Sequence, residues 1–147
     1  MERRRPQPRI LIVDDDAENR RMLRTVLEGE GLHVVGEASD GREAVDLVGR
    51  ASPDVVLMDL RMPEMGGIEA TRLIKESRPT AQVLMLTTYE GPFPTRSAEQ
   101  VGAYAYLLKG CSVELILQMI SQAWNYGAGL GPDGRGDPGS AGSISPA

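Results

Sequence analysis

One cysteine, one histidine, one phenylalanine and one tryptophan stand in 147 residues, and aromatic side chains make up only 4% of them. A single thiol excludes an internal disulfide and a multi-cysteine metal centre, and it fits a reducing cytoplasm. The lone His33 is no metal site. Basic side chains are in deficit, 16 against 21 acidic ones, for a formal net charge of −5. That balance argues against a surface that coats nucleic acid. Long apolar runs are missing too: none reaches the length of a membrane span, and the opening MERRRPQPRI lacks the apolar stretch of a signal peptide. A cytoplasmic chain with no membrane partner is the expectation. Apolar residues at 41% and charged ones at 25% are ordinary globular values, enough for one domain with a sizeable core.

Composition changes at both ends. Residues 1–8 form a basic arm with two prolines, and residues 127–147 hold seven of the 17 glycines and three of the 10 prolines. Such a tail or linker has too little apolar surface to offset its ordering entropy. The folded unit is therefore expected over residues 9–126.

Within it, short apolar runs alternate with helical periodicity. Ile10–Val13, Val34-Val35, Val55–Met58, Val83–Leu86 and Tyr104–Leu108 are apolar on both faces, as buried parallel strands are. Between and after them lie stripes at helical spacing: Met22, Leu23, Val26 and Leu27; Ala44, Val45, Leu47 and Val48; Ile68, Thr71, Leu73 and Ile74; and Leu115, Ile116, Met119, Ile120 and Ala123. Asp16, Ser39 and Asp40 are candidate helix caps. A strand-helix unit repeated five times predicts an α/β fold: a five-stranded parallel sheet of order 2-1-3-4-5 between two helical layers, flavodoxin-like.

The polar residues are informative by position. Asp14, Asp15, Asp59, Thr87 and Lys109 each follow the apolar part of an expected strand. An acidic triplet such as Asp14-Asp15-Asp16 is by itself ordinarily a solvated turn. In an open α/β sheet, however, the carboxyl ends of the strands face one crevice. Three carboxylates gathered there repel one another, and a hard divalent cation such as Mg²⁺ relieves that. Lys109 adds a positive charge for an anion and Thr87 a hydroxyl. Together these groups suit phosphoryl transfer onto a carboxylate.

The strings ILIVDDD, SDGREAV, PDVVLMDLRMPEMGGIEA, VLMLTT and AYLLKG, in that order, resemble the response-regulator receiver domain of two-component signalling. VVGEASDGREAV and MDLRMPEMGGIEATR look most like the subclass with a LuxR-type helix-turn-helix domain at the C-terminus. The resemblance implies that Asp59 is the phosphoacceptor. Asp15 and Asp59 would ligate Mg²⁺ directly, Asp14 through water, and Arg61 through its backbone carbonyl. Thr87 would hydrogen-bond the phosphoryl group and Lys109 would pair with it. Tyr106 matches an aromatic whose rotamer reports activation, although packing alone also accounts for an aromatic in a strand. Arg61 and Tyr89 match positions that tune the lifetime of the acyl phosphate. A histidine kinase or other phosphodonor and a second copy of the chain are the implied partners. DNA would be contacted only through a separate domain or a partner, and the switched surface would lie around the fourth and fifth strand-helix units. Such a protein is a phosphoacceptor rather than a turnover enzyme.

Two departures stand out. Tyr89-Glu90-Gly91-Pro92-Phe93-Pro94-Thr95 disfavours helix, so a shortened fourth helix starting near Pro94 or Thr95 is expected. Gly110 follows Lys109 where many receivers carry a proline with a cis bond. Two other functions compete: a haloacid-dehalogenase-like phosphatase with Asp14 as nucleophile, though Glu18 stands where that family has Thr or Val, and a phosphorylation-independent interaction module.

Overall fold

The computed structural model describes residues 7–88 and 100–129. The chain runs β1 (Arg9–Val13), α1 (Ala17–Gly29), β2 (His33–Ala38), α2 (Gly41–Ala51), β3 (Val55–Asp59), α3 (Gly67–Ser77), β4 (Gln82–Thr87), β5 (Ala105–Leu108) and α4 (Val113–Gly127). All four strand pairings are parallel, in the order β2-β1-β3-β4-β5, as the sequence pattern predicts. The expected shortened helix in the proline-containing segment lies outside the described residues, as does Tyr89.

Strands apolar on both faces require cover on both faces, and two cores result. Ile10, Ile12, Leu57, Leu84 and Leu107 pack with Leu27 of α1 and with Ile116, Met119 and Ile120 of α4. Leu11, Val56, Met58, Val83 and Met85 pack on the other face with Ala44 and Val48 of α2 and Ala70 and Ile74 of α3. Tyr106 is buried in this second core.

Caps set the helix starts. Asp16, Asp40 and Ser112 each accept a hydrogen bond from the first turn of the helix they precede. Ser39 does not cap α2; it lies one residue before the cap, and its N–H donates to the Glu43 carboxylate at 2.7 Å. α1 departs from its expected stripe. Leu27 is its buried residue, whereas Met22 is 59% exposed, because it faces the gap between α1 and α4 rather than the sheet. α4 runs to Gly127, the residue at which the glycine-rich segment begins. Among the described residues no helix is long and apolar enough to cross a membrane.

Candidate functional site

Strand register assembles the pocket. Val13 pairs with Met58, so Asp14 leaves β1 beside Asp59, the last residue of β3. Asp59 pairs with Leu86, which puts Thr87 one step further along the next strand. Thr87 pairs with Leu108, and the Lys109 N–H donates to the Thr87 carbonyl at 2.7 Å. Neighbouring parallel strands thus deliver Asp14, Asp59, Thr87 and Lys109 to one rim of the sheet.

The contacts there are short. Lys109 Nζ lies 2.9 Å from Asp14 Oδ2 and 3.3 Å from Asp59 Oδ1, bridging the two buried carboxylates. Carboxylate oxygens of Asp14, Asp15 and Asp59 all lie within 4.8 Å of one another, with Asp15 on the solvent side. Three hard oxygen donors, one open to water, match the ligand chemistry of a small divalent cation that keeps part of its hydration shell.

Electrostatics follow from crowding. Burial, and then the charge of Asp14, push the Asp59 carboxyl up to about 6, against the opposing effect of Lys109. Burial works against the Lys109 ammonium, yet the hydrogen bond to Asp14 and the charges of Asp59 and Asp14 outweigh it and hold the group above the usual lysine range. Thr87 is buried, and its hydroxyl donates to the Thr88 carbonyl at 3.1 Å. The exposed Arg61 contributes a long contact from its N–H to Asp59 Oδ1, 3.4 Å. Tyr106 enters the pocket's support rather than its rim, on the α2–α3 side of the sheet.

Glycines shape the floor. The Gly67 N–H donates to the Leu60 carbonyl at 2.9 Å, folding the segment after Asp59 back against the strand end. A Cβ at Gly67 would overlap the Asp59 carbonyl oxygen and lie 3.1 Å from Leu60 Cα, whereas one at Gly66 would meet only the Leu60 oxygen at 3.5 Å. Backbone cannot yield as a side-chain tip can, so Gly67→Ala is expected to lower stability by about 1–3 kcal/mol. Gly66→Ala meets no overlap and should cost less, about 0.5 kcal/mol for alanine at the N-cap of α3, and urea unfolding of the pair checks the contrast. After Lys109, Gly110 takes φ +92, a conformation that favours glycine. No peptide bond among the described residues is cis, so Lys109–Gly110 is trans.

Beside the pocket, α1 and α4 bound an apolar groove of about 200 Å³. Met22, Leu108 and Val113 are its exposed apolar residues, and Asp14 and Lys109 belong to its wall as well as to the pocket. Sequence reasoning missed Arg20. Its guanidinium donates to the Asp14 carbonyl at 2.5 Å and to Glu37 of β2 at 3.2 Å. The signal was a cation in the first turn of a helix, where the helix dipole disfavours it.

Comparison with known proteins agrees with this architecture. The family model for the response regulator receiver domain matches residues 10–121. The response regulator GacA of Pseudomonas aeruginosa is 42% identical over 118 residues, 79% of this chain and 55% of that protein. The chain spans about half the length of the curated relatives it matches. Among solved structures, a LuxR-family two-component response regulator from an Aurantimonas species is 35% identical with a TM-score of 0.74, covering 87% of this chain and 92% of that one. A chain of the CheX–CheY–BeF3–Mg²⁺ complex from Borrelia burgdorferi is 28% identical with a TM-score of 0.71, covering 76% of this chain and 85% of that one.

Proposed function

This chain belongs to the response regulator receiver domain family, and from that premise we propose that Asp59 is its phosphoacceptor, served by Asp14, Asp15, Thr87 and Lys109. The observation that carries this reading is Lys109 bridging Asp14 and Asp59 within a cluster of three carboxylates at the strand ends.

A carboxyl value of about 6 leaves Asp59 ionised at neutral pH, as a nucleophile must be. Its oxygen bonds to phosphorus while the bond from phosphorus to the donor's leaving group breaks, and an aspartyl phosphate results. Lys109, already within reach of Asp59, pairs with the transferred oxygens. Thr87 exchanges its contact with the Thr88 carbonyl for one with the phosphoryl group. Bound Mg²⁺ would supply charge neutralisation, held by Asp15 and Asp59 directly, by Asp14 through water and by the Arg61 carbonyl. Arg61 and Tyr89 would tune the lifetime of the product.

Phosphate biases the protein only by its differential contacts with two states. The pull on Thr87 supplies that bias at the β4 and β5 ends, and Tyr106 reports it. A histidine kinase is the natural donor. The output is transcriptional, by pairing with a second copy and by DNA contact through a separate domain, in line with the LuxR-family neighbour.

Incubation with acetyl phosphate and Mg²⁺ tests the reading. The wild-type chain is expected to gain one phosphoryl group, and Asp59→Asn or added chelator to abolish the gain. Equal modification of Asp59→Asn overturns it. Turnover of a chromogenic phosphate ester, lost in Asp14→Asn alone, would instead support the phosphatase with Asp14 as nucleophile.

A further inference from the structure

We propose that Arg20 is a positioning residue that fixes the Asp14–Asp15 turn for cation binding, by clamping the Asp14 carbonyl to α1 and β2. The inference rests on the reading above that Asp14, Asp15 and Asp59 hold Mg²⁺.

Every other polar group of Asp14 is already tied. Its N–H donates to the Ala38 carbonyl at 3.0 Å, one carboxylate oxygen accepts from the Asp16 N–H at 2.9 Å, and the other accepts from Lys109 at 2.9 Å. The carbonyl belongs to the peptide that joins Asp14 to Asp15. Arg20 Nη1 donates to it at 2.5 Å. Holding that oxygen holds the peptide plane, and both carboxylates project from the two ends of that plane. Asp15 benefits most: it is exposed, and among the described residues its side chain makes no hydrogen bond or ion pair that would hold it within 4.8 Å of Asp14 and Asp59.

The clamp is itself anchored. Arg20 Nε reaches Glu37 Oε1 at 3.2 Å, and the second oxygen of Glu37 accepts from Arg24 Nη1 at 2.7 Å. Arg24 continues to Glu28 at 3.2 Å. α1, β2 and the tip of β1 are thereby joined through one half-buried network. Glu37 also neutralises Arg20, so the clamp sits near the pocket without setting a bare cation against an incoming one. The arrangement has the form of an outer-shell partner, which acts on a metal through the ligand it orients.

Isothermal titration of Mg²⁺ into the metal-free chain separates positioning from charge and from folding. Arg20→Met is expected to weaken Mg²⁺ binding by about tenfold in the folded protein. Arg24→Met removes the same charge from the same Glu37 without touching Asp14, and its affinity should stay at the wild-type level. Thermal unfolding without metal, run on each variant, reports any loss of structure. A merely structural role would lower the melting temperature and leave the affinity of the folded fraction unchanged. Should Arg20→Met fail to fold, Arg20→Lys carries the test, with a smaller loss of the same sign. Wild-type or tighter binding by the Arg20 variants, or an equal loss in Arg24→Met, overturns the positioning role. An absence of binding by the wild-type chain would instead strike the metal reading beneath it.

Discussion

Lys109→Met is expected to lower the stability of the metal-free protein by about 3 kcal/mol at pH 8, the scale for removing one partner of a buried ion pair. Lys109 bridges Asp14 and Asp59, whose side chains are only 3% and 8% exposed, at 2.9 and 3.3 Å. Methionine keeps the aliphatic stem and deletes the charge. Two buried carboxylates then face each other without a counterion. The pH dependence has a definite sign. A carboxyl raised in the folded state contributes stability that is fully present below its unfolded value of 3.8 and is lost as pH rises through its folded value, about 6 for Asp59. Without the ammonium that folded value climbs further, so the variant loses more than the wild type above pH 6. The gap narrows towards pH 4, where Asp59 is neutral in both. Urea unfolding at the two pH values measures it, and an equal deficit at both would show that lost packing, not lost charge, is responsible. Added Mg²⁺ should recover part of the loss at pH 8, since it restores positive charge to the same carboxylates.

The second large effect has the opposite sign. Asp59→Asn is expected to raise the metal-free stability at pH 8 by up to about 3 kcal/mol, from a carboxyl shifted from 3.8 to about 6 at 1.36 kcal/mol per unit. The amide removes the charge that burial and Asp14 oppose, and it keeps the shape of the side chain. Lys109 retains Asp14 as its partner. Near pH 4 wild type and variant should converge, because the wild-type carboxyl is then protonated. With Mg²⁺ present the ranking should move back towards the wild type, since a ligand that binds the folded state stabilises it. A variant less stable than the wild type at pH 8 without metal would mean that Asp59 is well solvated or well paired, contrary to the geometry. A substitution that stabilises the protein while removing its reactive group is what is expected where a site holds like charges together for function.

Much of this site could be read along the chain because its parts lie where hydrophobic patterns stop. Ile10–Val13, Val55–Met58 and Val83–Leu86 are unbroken apolar runs, and the polar residue that ends each is marked by that break. The parallel order then follows from the alternation with helical stripes, and a common crevice follows from the order. Asp16 and Asp40 were legible as caps because their residue type and their place before a stripe agree. Side-chain reach was not legible. Arg20 contacts a backbone carbonyl six residues earlier, which depends on how α1 leans on β2, and no periodicity encodes that lean. Met22 shares the helical spacing of Leu23 and Leu27 but faces the groove, because a stripe does not state how wide the covered face is. Gly66 and Gly67 stand side by side before the third helical stripe, and which of the two admits no Cβ depends on the return of the chain against Asp59. For Thr87 the sequence indicated the strand end, while the rotamer that turns its hydroxyl to Thr88 is a local choice.

Reduction of the phosphorylated chain with borohydride, followed by peptide mass mapping, tests the central claim most directly. An acyl phosphate is reduced to an alcohol, so the modified aspartate is recorded as homoserine at its own position. After treatment with acetyl phosphate, homoserine is predicted at position 59 when Mg²⁺ is present and nowhere when it is chelated. Homoserine at position 14, or labelling of Asp59 that ignores Mg²⁺, would contradict the account.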